Sequence, residues 1–133
     1  MDESFEQAMS VRRAVLGDEY VDAIMAKTTP VTASFQEFVT RYAWGEAWLD
    51  PALDRQVRSL LTLAVVTTLG QPGEIRLHVR GALRNGCTTE QIAAALRHVA
   101  IYAGVARAVA ATGIADEEIA SFAAAPPQPD GTR

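Results

Sequence analysis

Residues 74–86 read Glu-Ile-Arg-Leu-His-Val-Arg-Gly-Ala-Leu-Arg-Asn-Gly, and the period of this stretch decides the fold class. At about 100° per residue, Ile75, Val79, Ala82 and Leu83 form an apolar stripe, while Arg76, Arg80 and Arg84 recur every fourth residue on the far side. The spacing predicts a helix that Gly86 stops. Glu74, His78 and Asn85 fall on the border between the two faces. A carboxylate and an imidazole four residues apart can share a proton or hold one ligand, and the border of a buried stripe is where a pocket reaches them. The same spacing also describes an ordinary exposed ion pair, which stabilises by only ~0.3–0.5 kcal/mol.

Outward from this stretch the pattern stays helical. Gly70-Gln71-Pro72-Gly73 is a strong breaker. Before it, residues 53–69 predict a helix that is apolar almost all round between Leu60 and Val66, expected to be the most buried element. A turn over residues 46–51 holds Trp48, and Asp50-Pro51 suits a helix start. Further back, Ser34-Phe35-Gln36-Glu37 has capping-box spacing, so a helix is expected to begin near Thr32 or Ser34 and to bury Phe35, Phe38, Val39 and Tyr42. A first helix over residues 4–16 ends at Gly17, and Asp18 is expected to cap a short second one carrying Val21, Ile24 and Met25.

Downstream, Thr88 with Gln91 opens a helix whose apolar face is Ile92, Leu96, Val99 and Ala103. His98 and Tyr102 lie one turn apart on it, and Gly104 separates it from an alanine-rich helix reaching about Ala124. No segment has strand period and no internal repeat is present. The expectation is an all-α domain of six or seven helices over residues 1–125, with a flexible tail over 126–133 that holds three of the six prolines. Leu77 is the misfit: it points to the arginine side, as an isolated surface leucine or a subunit contact.

Composition narrows the chemistry. A chain of 133 residues suffices for a core without metal or disulfide, and the single cysteine, Cys87, excludes an intrachain disulfide and any Cys-x-x-Cys framework. A net charge of −4 and a pI near 5.1 argue against nucleic acid. The start Met-Asp-Glu-Ser lacks a basic leader, and the apolar run Leu60–Val66 is far short of the ~20 residues of a membrane span, so a cytoplasmic protein without membrane contact is expected. Eleven arginines against one lysine suit an anionic ligand, although codon bias produces the same skew.

There is no phosphate-binding glycine loop, and the two histidines, His78 and His98, lie on different helices without a metal-ligand pattern. Ser59 sits within the apolar helix and Cys87 follows a helix stop, so neither is a supported nucleophile. Acid/base chemistry with no metal and no cofactor is what remains.

Several stretches together carry a family resemblance: Val11-Arg-Arg-Ala-Val-Leu-Gly-Asp18, Phe35-Gln-Glu, Thr40-Arg-Tyr-Ala-Trp-Gly45, Arg58-Ser-Leu-Leu-Thr-Leu-Ala64, Leu77-His-Val-Arg80, Asn85-Gly86 and Ala100-Ile-Tyr-Ala-Gly104. In this order and spacing the chain resembles the carboxymuconolactone decarboxylase family, within the alkylhydroperoxidase D-like superfamily. The redox motif of that superfamily is Cys-x-x-Cys with a histidine four residues on. With His78 on that histidine, Glu74 takes the place of the second cysteine and Gln71 of the first, which excludes thiol peroxidase chemistry.

The resemblance implies an alkylhydroperoxidase D-like helical bundle and a homo-oligomer, a hexamer or trimer of dimers. It implies a small anionic lactone as substrate, γ-carboxymuconolactone, decarboxylated without a cofactor to the 3-oxoadipate enol-lactone in aromatic catabolism. His78, oriented by Glu74, would donate or accept the proton, and the Glu74 charge would raise the protonated fraction of His78. Arg41 first, then Arg58, Arg12 and Arg13, would hold the substrate carboxylates, and Trp44, Trp48 and Tyr102 would wall the site. The chain departs from the family pattern at Ala106, Arg107 and Val109. That departure keeps two alternatives open: a relative recruited to another cofactor-free decarboxylation, proton transfer or ring rearrangement, and a non-catalytic ligand-binding or assembly subunit.

Overall fold

In the computed structural model, which describes residues 2–125, the chain runs through α1 (Glu3–Leu16), α2 (Asp18–Ala26), α3 (Pro30–Val39), a π-helical continuation of α3 (Thr40–Ala47), α4 (Arg55–Leu69), α5 (Pro72–Arg84), α6 (Thr89–Ala103) and α7 (Val105–Ala124). The described residues contain no strand. The chain is thus the all-α bundle that the periodicity predicts, and the tail expected from residue 126 lies outside the described residues.

Local sequence explains most of the boundaries. The side chains of Asp2, Asp54 and Thr88 each accept a backbone N–H from the first turn of α1, α4 and α6, and Thr88 and Gln91 form the predicted reciprocal cap. Two starts differ from expectation. Helix α3 begins at Pro30, where Thr29 and Thr32 cap each other and proline's missing N–H costs nothing in the first turn. Asp18 lies inside the first turn of α2 and caps nothing, its carboxylate being held by Arg13.

Two apolar clusters make the core, and α5 belongs to both. Ile75, Val79 and Ala82 pack with Leu63 of α4, Ile92 and Leu96 of α6 and Ala111 and Ala115 of α7. Leu77, on the opposite flank, packs against the second cluster, formed by Ala8, Val11, Val15, Leu16, Val21 and Trp44, so it is an internal contact of the chain and not an isolated surface residue. Helix α1 can approach α5 this closely because residue 81 is glycine: a Cβ there would stand 3.0 Å from Val15 Cγ1 and 3.3 Å from its carbonyl oxygen. The arginine side of α5 is covered as well. Arg76 pairs with Glu117 and Glu118, and Arg80 with Glu118, which lays α7 along it.

The expected burial of α3 and α4 is corrected. No residue of α3 is buried, and Phe35, Phe38 and Tyr42 are 57–60% exposed. On α4 only Ser59, Leu63 and Thr67 are buried, while Val57, Leu61, Val65 and Leu69 form an exposed stripe at every fourth residue, preceded by exposed Leu53 in the turn before the helix. The cause is geometric: an all-round apolar helix has two faces, and α5, α6 and α7 cover only one. Ile101, Tyr102, Val105 and Val109 extend the uncovered apolar surface across the α6–α7 junction. Among the described residues no helix is long and apolar enough to cross a membrane.

Candidate active site

Helix α5 starts at Pro72, which puts Glu74 in the first turn, where the helix N-terminus favours a carboxylate, and His78 one turn on. Glu74 Oε2 lies 3.5 Å from His78 Nε2, beyond a good hydrogen bond but within ionic reach. The two differ in exposure. The His78 side chain is only 8% exposed, whereas that of Glu74 is 52% exposed. The second ring nitrogen, Nδ1, is buried with no hydrogen-bond partner.

Burial pushes the His78 imidazolium down to about 4. This reverses the expectation that Glu74 keeps the ring protonated near neutrality. A half-solvated carboxylate at 3.5 Å does not offset the desolvation of the ring, so the resting site holds a neutral imidazole.

Arg12 is the second feature. It is 4% exposed, donating from Nη1 to Thr40 Oγ1 at 2.9 Å and from Nη2 to Gln36 Oε1 at 2.6 Å, while its buried Nε has no partner. Both acceptors are neutral, and no carboxylate among the described residues pairs with this guanidinium. Burial lowers its pKa, but a guanidinium does not deprotonate in a protein, so the result is a buried cation without a counter-ion. The π-helical segment helps build this environment, supplying both Thr40 and the buried Trp44, which stacks on Trp48 with ring centroids 5.0 Å apart.

Tyr20 lies near both features and does not stand out in the sequence. Its phenol is pushed up by burial and by the charge of Glu74, and is drawn back by Arg12, so it lies within the field of both. Its one local signal is its place just beyond Gly17, where the chain turns from α1 into α2 with φ +89°.

The remaining candidates are dispersed. Arg41 is engaged at the surface: it binds both Asp2 carboxylate oxygens and Glu37, and lies over the Phe5 ring. Arg58 donates to the Asp50 carbonyl at 2.9 Å and holds the turn before α4, with its Nε buried and unpartnered. Arg13 is paired with Asp18 and Asp22. Tyr102 is 80% exposed and leans on the His98 ring, on the uncovered surface of α6. Asn85, a border residue, donates to Ser59 Oγ at 2.8 Å and so ties the end of α5 to α4. Cys87 is buried and its thiol is pushed up by that burial, the opposite of a reactive thiolate. No group of three or more His, Cys, Asp or Glu side chains that could hold a metal ion occurs among the described residues.

These residues offer a buried cation at Arg12 and, at His78, a neutral imidazole able to move one proton. Over 125 residues the chain is 35% identical to the 4-carboxymuconolactone decarboxylase of Acinetobacter baylyi, covering 94% of this chain and 93% of that one. It is 41% identical over 117 residues to the nitrosuccinic acid decarboxylase of Metarhizium robertsii, covering 86% and 80% respectively. A 48-residue 4-carboxymuconolactone decarboxylase sequence from Pseudomonas putida matches along its whole length at 46% identity. The profile of the carboxymuconolactone decarboxylase family matches residues 33–117, and with relatives spanning nearly the whole chain, this protein belongs to that family.

Proposed function

We propose that this protein is a carboxy-lyase that decarboxylates 4-carboxymuconolactone to the 3-oxoadipate enol-lactone without a cofactor. The carrying observation is a buried neutral imidazole and a buried arginine that no carboxylate among the described residues pairs with, in a chain whose relatives are named decarboxylases. The two acids in those names have one chemical property in common. Each bears a carboxylate on a carbon attached to a built-in electron acceptor, the conjugated lactone in one and the nitro group in the other. Loss of CO2 then needs no external electron sink, and the protein has only to hold the anion, stabilise the charge that develops and deliver a proton to carbon.

In this mechanism Arg12 turns its unsatisfied charge to a substrate carboxylate, which a planar guanidinium grips well. The bound anion also supplies the negative charge that His78 lacks in the resting site. It raises the basicity of the imidazole, which takes up a proton from water as substrate binds. When the C–CO2 bond breaks, its electron pair moves into the acceptor, and His78 returns the proton to carbon, a contribution of ~10²–10⁴-fold. Glu74 orients the ring from its Nε2 side.

The uncovered stripes on α3, α4 and α6–α7 support a homo-oligomer in which copies of the chain cover one another's apolar faces. Ultraviolet and CO2-release assays on freshly prepared 4-carboxymuconolactone and on nitrosuccinate test the activity. Turnover of the lactone that is lost in a folded His78→Ala variant is the expected result. Turnover of nitrosuccinate alone would move the substrate to the second relative's acid, and full activity in His78→Ala would reject the proton-transfer role.

A further inference from the structure

We infer that the cleft between α2, α5 and the end of α7 is a second binding site, for a monocarboxylate with a flat apolar body, distinct from the decarboxylation site. The cleft has a volume of about 890 Å³, within the range of small-molecule sites. Leu16, Ala23, Leu77, Phe122 and Tyr20 give it apolar and aromatic walls, and Arg80 and Arg84 supply cations.

The two arginines are not equivalent. Arg80 is engaged by the Glu118 carboxylate and by Ser121 Oγ. Arg84 is half-buried, and its one hydrogen bond among the described residues goes from Nη1 to the Val15 carbonyl at a long 3.3 Å. Its Cζ lies 5.9 Å from the centroid of the Phe122 ring, and a side chain at Gly17 would intrude on it, since a Cβ there would stand 2.9 Å from Nη2. Burial and the adjacent Arg80 both work against the Arg84 charge. The last turn of α5 favours a cation, which accounts for an arginine at this position but not for the apolar cleft in front of it.

One guanidinium with most of its five N–H donors unused among the described residues, facing aromatic and aliphatic walls, fits one carboxylate carrying a ring. Glu19 also lines the cleft and opposes a second negative charge. The ligand is therefore a monoanion, unlike the dicarboxylate proposed for the Arg12 pocket. Tyr20 is common to both sites, forming a wall here and feeling the charges of Glu74 and Arg12 there.

The test is a titration of the full-length protein with 2-naphthoate, followed by its fluorescence and by calorimetry. Uncharged 2-naphthalenemethanol and a naphthalene dicarboxylate serve as controls. Saturable binding of naphthoate is expected at one per chain, weakened about tenfold or more in Arg84→Gln and less in Arg84→Lys. Ala23→Trp, at an exposed position on the cleft wall, fills the space without touching the charge and should abolish binding. His78→Ala should bind naphthoate as the wild type does, which separates this site from the proposed decarboxylation chemistry. Equal binding by Arg84→Gln and Ala23→Trp, equal binding of the alcohol or the dianion, or loss of binding in His78→Ala would each overturn the proposal.

Discussion

Acid should unfold this protein partly through His78, and the size of the effect is set by its burial. The ring takes up a proton near 6.5 in the unfolded chain and only near 4 in the folded one. Near pH 7 and above both states are neutral at this residue, which then contributes nothing to pH dependence. Between these two values the unfolded chain binds a proton that the folded chain refuses, so stability falls as pH falls, and the loss levels off below about pH 4. The gap corresponds to roughly 3 kcal/mol in full, most of which is lost by about pH 4.5. With the side chain only 8% exposed, solvent screening removes little of this. Carboxylates also titrate in this interval, so the measurement is a difference. Urea unfolding of the wild type and of His78→Gln is compared near pH 7 and near pH 4.5, at one protein concentration because assembly is linked to folding. The variant should lose ~2–3 kcal/mol less than the wild type between the two conditions. Parallel losses would show that His78 is not held neutral by burial, and the proposed proton uptake on substrate binding would fail with it.

Arg12→Met should cut turnover of 4-carboxymuconolactone by ~10²–10³-fold while changing stability by less than ~1 kcal/mol, because removing a buried, uncompensated charge offsets the lost hydrogen bonds. Thr40 Oγ1 also keeps its bond to the Gln36 carbonyl at 2.7 Å. A large loss of stability with turnover intact would make Arg12 structural. Leu61→Glu, in the middle of the exposed α4 stripe, should give a smaller species by light scattering, and an unchanged mass would remove that stripe from the subunit contact. Gly81→Ala should destabilise by ~1–3 kcal/mol although alanine favours helix by about 1 kcal/mol, since its methyl meets Val15 at 3.0 Å. A gain in the unfolding midpoint would show that α1 can move away.

How legible the protein is in its sequence depends on where each fact resides. The stripe Ile75, Val79 and Ala82 and the cap of Thr88 with Gln91 are local properties of one helix, and the structure has both. The burial of His78 is not local. A border residue becomes interior only when further elements close over it, which no count along α5 can foresee. Arg41 ranks above Arg12 by its aromatic neighbours in sequence, yet Asp2 reaches Arg41 from the far end of α1, while Arg12 faces the neutral Gln36 and Thr40. The aromatic residues of α3 are expected in the core because they are large and apolar, and they lie exposed. Hydrophobicity marks a surface to be covered but does not say whether its own chain covers it. Tyr20 comes within the field of Glu74 only in the folded chain, since the two are far apart in sequence.

The π-helical segment has a consequence for how this chain can change in length. Its wider turn, in which the Trp48 N–H reaches back five residues to the Ala43 carbonyl at 3.0 Å, accommodates one residue more than an α turn. Loss of one residue between Thr40 and Ala47 would therefore let the segment tighten into a regular helix with little rotation of one end against the other, because the wide turn holds the extra residue without advancing the phase. Gln36 and Thr40 would still face Arg12, and the residues from Trp48 onward would keep their side toward α1. The segment is thus a place where the chain can gain or lose one residue between the Arg12 contacts and α4 without altering the order or the facing of the helices.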